Sequence, residues 1–489
     1  MMTVLQGQTP NNVVSDFNLH QQNAYSIIEI EEHIYVAGQA LVKGVEPGER
    51  EAFIAKYNAE LEPLSYSILS DENDFQTFAN NARELLHYDG VLYRAYNEGA
   101  ASDDYGHIAQ YHLDSEAIIS FHRVQDTLNN LERVGPAALM MDEQNQLVFS
   151  LASSLFQDDI TIWIQVLEPG TGRLIRQQVF EEVGLSLFCR EIVENSKGYL
   201  LLGHSFGEDN VRTTFIWQLD HELNILEKVN LDDRHYYHIY LESVLDDGAI
   251  VFTNNEHLGN FNNWRSVLIK MDSDLNVVWE TTVGSPEYSR DFSYYTGVVK
   301  SHDNDGYILC GVNEVEDTLA ATRGQIAKIS TDGDSVWHRQ LRPLEDYEGS
   351  TELFDIIQSS DGHYLATGVA RNPDALKDSI FIKTWLIKFD EDGHIVTKDS
   401  TDSVTSLFNS SLRIFPNPTT DIVYLEHDDI VDLRYELYNE QGQMILTKAE
   451  SEPYHTYMLS LAAYPAGIYF LHVTHPDGRR YVERLVRVE

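Results

Sequence analysis

"VLIKMDSDLNVVWE", residues 267–280, alternates apolar and polar side chains, breaks on Asp272-Ser273-Asp274-Leu275-Asn276, and then alternates again. Period-2 alternation on both sides of an Asx-rich turn predicts a β-hairpin. Six other stretches share the pattern: "FIAKYNAELEPL" from residue 53, "HIAQYHLDSEAI" from 107, "IWIQVLEPGTGRLI" from 162, "FIWQLDHELNIL" from 215, "QIAKISTDGDSVW" from 325 and "WLIKFDEDGHIV" from 385. Each carries a Lys or Gln among apolar neighbours: Lys56, Gln110, Gln165, Gln218, Lys270, Lys328 and Lys388. Their spacings are 54, 55, 53, 52, 58 and 60 residues.

A second marker keeps step with the first. "DGVLYRAY" at 89, "KGYLLLGHS" at 197, "DGAIVFTNN" at 247, "DGYILCGVN" at 305 and "DGHYLATGV" at 361 each place a turn before a short apolar strand. "EEHIYVAGQ" at 31 and "QNQLVFSLA" at 144 keep the strand without the turn glycine. Another apolar run precedes each turn, so every unit reads as four antiparallel strands. Such units at a regular period predict a β-propeller. One twisted four-stranded sheet cannot cover both of its faces, so each unit buries them against its two neighbours. Seven units predict an all-β fold, a seven-bladed β-propeller over residues 20–400, in which the opening hairpin is the outer pair of the fifth blade. Residues 11–20 either add a strand to the last blade, or the seven complete units close by packing alone.

The 489-residue chain carries 78 acidic against 34 basic side chains, a formal charge of -44, which argues against nucleic acid or an anionic membrane as partner. Its apolar fraction of 43% is that of a folded soluble protein, and no apolar run is long enough to predict a transmembrane helix. The two cysteines, Cys189 and Cys310, sit in apolar strands of different units and read as small buried residues rather than a disulfide.

After "IVTKDS" the repeat stops. Ten of the fifteen residues from 397 to 411 are Ser, Thr or Asp, a linker composition that separates the propeller from residues 412–489, with residues 401–411 as the linker proper. The remainder is short strands and turns and reads as a small immunoglobulin-like β-sandwich. "LRIFPNPTTDIVYLEH", "YELYNEQGQMIL" and "LSLAAYPAGIYFLHV", followed by a short final strand, resemble the type A C-terminal sorting domain of the type IX secretion system of Bacteroidetes. The matching positions are Pro416, Asn417, Pro418, Gly442, Leu461, the stretch Pro465 to Phe470 with Gly467, and the basic Arg484 and Arg487. Asp421 stands where the family commonly has Gly. The resemblance implies export, the type IX machinery as partner, removal of the tail in the 397–411 region, and a secreted or cell-surface location. "MMTVLQGQTPNN" has neither the basic nor the apolar segment of a signal peptide, so the expectation is a start that has been truncated. The blades also resemble repeats found ahead of such tails, best matched by "DGYILCGVN", "DGHYLATGV" and "WLIKFDEDGHIV"; this supports the fold more than an activity.

Several motifs suggest chemistry and resolve into turns. "STDGDSVW" nearly matches the Asp-box of sialidase-like propellers through Ser330, Asp332 and Trp337, with Asp334 at the glycine position; Asp274, Asn276 and Trp279 repeat it. Such a box is a folding element, the Asp capping the turn and the Trp packing between blades. The arginine cluster and Tyr–Glu pair of a sialidase are missing from the pattern. "VLEPGTGRLI" resembles a single quinoprotein-type repeat and reads as a Gly-rich turn. Asp303, Asn304 and Asp305, and Asp390 with Asp392, lack the distant bidentate carboxylate of a calcium loop. No metal, cofactor or catalytic residue is assigned.

The candidate ligand contacts are aromatic. Tyr236 and Tyr237, flanked by His235 and His238, precede one inner strand; Tyr294 and Tyr295 precede the next, and Tyr347 the one after. Connections from an outer strand to the next inner strand lie at one mouth of the channel, where rings stack on a sugar or a partner's apolar side chain. The competing reading packs these rings between blades. The function expected is therefore a secreted or cell-surface binding or scaffold propeller taking a glycan or protein ligand. The alternative is an enzyme degrading extracellular polysaccharide or glycoconjugates, distinguished by two carboxylates about 5–10 Å apart at the channel mouth.

Overall fold

Every element among the described residues is a β-strand. The computed structural model describes residues 3–4, 12–16, 21–41, 51–69, 85–98, 105–123, 133–154, 160–207, 212–231, 243–246, 248–257, 264–283, 293–314, 322–343, 349–371, 382–396, 412–415, 419, 422–431, 434–439, 443–449, 454–474 and 480–488. The chain divides into two units between Val396 and Thr397.

The first unit holds seven antiparallel sheets in sequence order. The opening hairpin is Trp264–Met271 and Val277–Val283, the third and fourth strands of the fifth sheet. The first strands of the seven sheets are Gln21–Ile30, Leu85–Tyr88, Arg133–Met141, Ser186–Asn195, Ser243–Asp246, Ser293–Lys300 and Ser350–Gln358. Each touches the first strand of the next sheet, and the seventh touches the first, so these strands line the central axis. Each adjacent pair of sheets shares one apolar cluster. The circle closes where Phe53 and Tyr57 of the first sheet pack against Leu365 and Leu386 of the seventh, all 0% exposed. Burying a side chain the size of Phe53 or Leu386 contributes about 1.5–3 kcal/mol. A seven-bladed β-propeller follows from this closed circle of shared cores.

The last sheet settles what the sequence left open. Its own strands are Ser350–Gln358, Tyr364–Arg371 and Ile382–Phe389. The outer place belongs to Asn12–Asp16, which pairs antiparallel with Ile382–Phe389, Val13 opposite Leu386 and Ser15 opposite Thr384. Thr3–Val4 pairs beyond it. Among the described residues, the hairpin expected to supply a fourth strand after Gly393 pairs through the bridge Phe389 to Ile395 and the bond from the Val396 N–H to the Lys388 carbonyl at 3.0 Å, and forms no strand. N-terminal residues thus finish the sheet that the C-terminal part of the ring begins, and the edge of Ile382–Phe389 does not stay open.

The first strands share a distortion. Five of them carry one extra residue against the second strand: Tyr25, Ala137, Arg190, Thr296 and Phe354. In four of the five the residue opposite the bulge is glycine: Gly38, Gly203, Gly311 and Gly368. A Cβ on these glycines would sit 1.8 to 2.2 Å from the carbonyl oxygens of Asn23, Phe188, Tyr294 and Glu352. The glycine closing each "VAGQ", "LLGH", "LCGV" and "ATGV" therefore makes room for the bulge, which bends the inner strand and re-aims its side chains.

The second unit pairs a three-stranded with a four-stranded sheet. Val423 and Leu459 from one and Leu437, Leu471 and Leu485 from the other meet in a common core, a small β-sandwich.

Candidate functional site

Antiparallel connectivity puts the turns between first and second and between third and fourth strands at one end of the ring, the lower end. The first strands begin and the fourth strands end at the upper end. At the upper end of the fourth sheet Phe188 stacks on His204 (ring centroids 5.2 Å apart, planes at 11°) and on Phe206 (5.3 Å, 16°). The guanidinium of Arg190, the bulge residue, lies 5.8 Å from the Phe188 ring. Phe188, Arg190 and Phe206 are all partly exposed. Across the closure, bulge residues Tyr25 and Phe354 touch at 5.2 Å. Arg371 holds Glu352 in a two-toothed ion pair at 2.5 and 3.1 Å near the upper end of the seventh sheet.

The inner wall is fastened from sheet to sheet. Asp355 Oδ2 accepts the backbone N–H of Ile27 at 2.9 Å, and Thr296 donates to the carbonyl of Leu353 at 2.9 Å. Aromatic rings and an arginine on so rigid a frame lose little conformational entropy when a ligand docks.

Among the tyrosines expected at the mouth, Tyr294 is partly exposed. Tyr295 is 0% exposed, packed between the fifth and sixth sheets, with its backbone N–H donating to Ser266 Oγ at 2.7 Å. Burial pushes its phenol well above the usual tyrosine range. Tyr295 is thus packing between blades and offers no surface. Tyr236, Tyr237 and Tyr347, like His235 and His238, lie outside the described residues. Tyr25, Phe188, Arg190 and Phe354 were missed by sequence reasoning, although the repeated glycine opposite the bulge was a usable signal.

The lower end explains the markers. Lys328 Nζ donates to Asp303 (2.8 Å) and Asp305 (2.6 Å) in its own sheet's turn and to Glu391 (2.8 Å) in the next sheet. Lys56 reaches Glu116 of the second sheet at 2.6 Å, Lys270 reaches the Tyr307 hydroxyl of the sixth at 3.0 Å, and Lys388 binds Asp361 at 2.5 Å. Gln218 bonds Asn195 and the carbonyls of Tyr199 and Leu219. Burial would lower the Lys328 pKa, but the bonds to Asp303, Asp305 and Glu391 outweigh it and hold it above the usual ammonium range. Burial likewise opposes ionisation of Asp303, yet its bonds to Asp305, Lys328 and Ser301 keep it well below the usual carboxylate range. Asp303, Asp305 and Glu391 have the spacing of a cation site, and the ammonium of Lys328 already serves all three.

The Asp-box turns cap differently from expectation. Asp272 Oδ1 accepts the N–H of Asn276 at 2.9 Å, and Ser330 Oγ that of Asp334 at 3.0 Å; the first residue of the box does the capping, where Asp274 and Asp332 had been expected. Asp274 instead pairs with Lys197 at 3.0 Å. The tryptophans do join neighbouring sheets. Cys189 and Cys310 are both buried thiols outside any disulfide, and burial pushes the Cys189 thiol up to about 12.

In the sandwich, Gly467 opens the strand Gly467–Thr474 with open space around it. Thr419 bridges to Arg487, its N–H donating to the carbonyl of Val486 at 2.9 Å, which pins the last strand. Arg484 lies in that strand, Arg480–Arg487. Pro416, Asn417, Pro418 and Gly442 fall outside the described residues.

Residues 413–488 match the family described as "Secretion system C-terminal sorting domain". This is the type IX sorting tail that the motifs resembled, and it marks the chain for secretion or the cell surface. No helix among the described residues is long and apolar enough to cross a membrane. No curated protein sequence matches the chain. Among solved structures it is similar to the polysaccharide lyase Uly1 (7% identity, TM-score 0.46, covering 80% of this chain and 99% of that one). It is also similar to the quinohemoprotein alcohol dehydrogenase of Comamonas testosteroni (8%, 0.41, 83% and 78%). A third is a subtype N10 neuraminidase-like protein of A/little yellow-shouldered bat/Guatemala/060/2010 (10%, 0.38, 62% and 94%). At these scores the architecture and the site stand on the chain's own residues.

Proposed function

We propose that the chain is an exported binding or scaffold propeller, delivered by the type IX machinery through its C-terminal unit, which takes a glycan or protein ligand at the upper mouth of the ring. The observation that carries this reading is the pair of stacked, partly exposed rings Phe188 and Phe206, backed by the buried His204 and flanked by the partly exposed Arg190 at the upper end of the fourth sheet. Stacked rings next to a guanidinium suit a sugar face or an aromatic side chain with an acidic neighbour. The reading extends to Tyr236, Tyr237, Tyr294 and Tyr347, which the sequence assigns to connections at the same end.

Screening the full chain against immobilised glycans and peptides tests it. Phe188→Ala and Arg190→Ala are expected to weaken the selected ligand on the order of tenfold, the loss typical of a central contact. Turnover of a polysaccharide, abolished by one carboxylate substitution, would replace the binding reading with an enzymatic one.

A further inference from the structure

A sandwich buries one face of each sheet and normally turns polar residues outward. The four-stranded sheet of the C-terminal unit departs from this. Its strands run in the order Met444–Ala449, Arg434–Asn439, Gly467–Thr474, Arg480–Arg487. One cross-strand row pairs Met444 with Tyr438, Tyr438 with Phe470, and Phe470 with the position of Arg484. Met444 is 54% and Phe470 37% exposed. The Tyr438 ring lies 4.5 Å from that of His472, tilted by 42°, one row away on the same face, and Ile468 pairs with Val486 on the other side of the row. In the same strand Tyr469 (5%) and Leu471 (0%) are turned into the core. The outward ring of Phe470 thus adds nothing to the packing that Tyr469 and Leu471 provide, although it belongs to the "PAGIYF" stretch on which the family resemblance rests.

We infer that this outer face, centred on Met444, Tyr438 and Phe470, is the surface by which the tail docks on a protein receptor of the export machinery. The occupant follows from the match of residues 413–488 to a sorting domain, a unit whose task is to be recognised by protein. An exposed methionine and aromatic row fits an apolar cleft in that receptor. The register position of Arg484 at the end of the row, in a chain of formal charge -44, favours a carboxylate at the cleft's border. The inference rests on the sorting reading of the tail and adds the face that is read.

The test uses the full chain behind a secretory leader, expressed in a bacterium that carries the type IX machinery and scored as the fraction reaching the surface and medium. A deletion of residues 413–488 serves as reference. Phe470→Ser combined with Met444→Ser is expected to cut export on the order of tenfold, while the melting temperature and sedimentation of the purified chain stay at wild-type values. Export equal to wild type, with the deletion still retained in the cell, overturns the docking face and leaves the sorting reading intact. Export of the deletion overturns the sorting reading and this inference with it. A changed sedimentation coefficient assigns the face to a second copy, and a lowered melting temperature assigns it to folding; either result overturns the receptor.

Discussion

The indole N–H of Trp337, in the sixth sheet, donates to the backbone carbonyl of Glu391 in the seventh at 3.2 Å. Trp279 repeats the bond one sheet earlier, to the carbonyl of Thr331 at 2.9 Å. In both places the left-handed residue of the receiving turn is glycine, Gly333 (φ 90°) and Gly393 (φ 75°), and a Cβ there would meet the tryptophan ring at 3.1 and 2.8 Å. In three turns whose preceding outer strand has no tryptophan, the first, fourth and fifth, the same left-handed place holds Leu61, Leu223 and Leu275, each at most 5% exposed. Ring or leucine fills one cavity between sheets, and the turn pays in backbone strain when it is leucine.

Trp337→Ala is therefore expected to cost about 3–5 kcal/mol, and Gly393→Leu to destabilise by overpacking. Combined, the two substitutions should cost less than their sum, by a coupling of about 0.5–3 kcal/mol, because the leucine enters the space the ring leaves. Denaturant unfolding of the four chains measures it; additive losses would separate the two positions.

The bulge glycines make a sharper prediction. Gly203→Ala puts a methyl 2.2 Å from the carbonyl of Phe188, so the inner strand must shift, at a cost of about 1–3 kcal/mol or more. Gly467→Ala, in open space, should cost less than about 1 kcal/mol. Thermal unfolding distinguishes them, and equal melting temperatures would mean that the bulge does not depend on its glycine.

Acid should loosen the lower end. Asp303 and Asp361 have folded pKa values below the usual carboxylate range, held by Lys328 and Lys388, so their contribution is present above that range and lost as pH falls through the folded values. The raised pKa of Lys328 works oppositely: its contribution is present below the usual ammonium range and lost only in strong alkali. Lys328→Met should lose about 1.5–3 kcal/mol at neutral pH, since hydrogen bonds to charged groups are removed. Its deficit should shrink as the pH falls and protonation relieves Asp303, the carboxylate that Lys328 holds below its usual range. Melting temperatures of both chains from pH 3 to pH 8 give the answer, and a deficit independent of pH would rule out the charge account.

Much of the ring was legible because a repeat averages out local noise: the Lys or Gln from Lys56 to Lys388 recurs at one place in every sheet, bonding across to the next sheet at Lys56, Lys270 and Lys328 and within its own sheet at Gln218 and Lys388. The site was less legible for the same reason. Tyr25, Arg190, Thr296 and Phe354 occupy one structural position with two aromatics, an arginine and a threonine, so no motif connects them until Gly38, Gly203, Gly311 and Gly368 are seen opposite a bulge. Tyr295 shows the converse error: an aromatic near a strand start was counted toward the mouth, while the pleat turns it into the core. Closure stayed open because Asn12–Asp16 alternates no better than "HIVTK" after Gly393, and only pairing decides between them.

The claim on which the rest depends is that these sheets hide their faces only when the ring is shut by the strand Asn12–Asp16. Ser15 lies opposite Thr384 in that pairing, and the two native cysteines are buried, so Ser15→Cys with Thr384→Cys provides a direct reporter. Oxidation of the purified full chain should give a disulfide within one monomer and a raised melting temperature. A disulfide between two chains, or none while both thiols stay reactive, would contradict the closure.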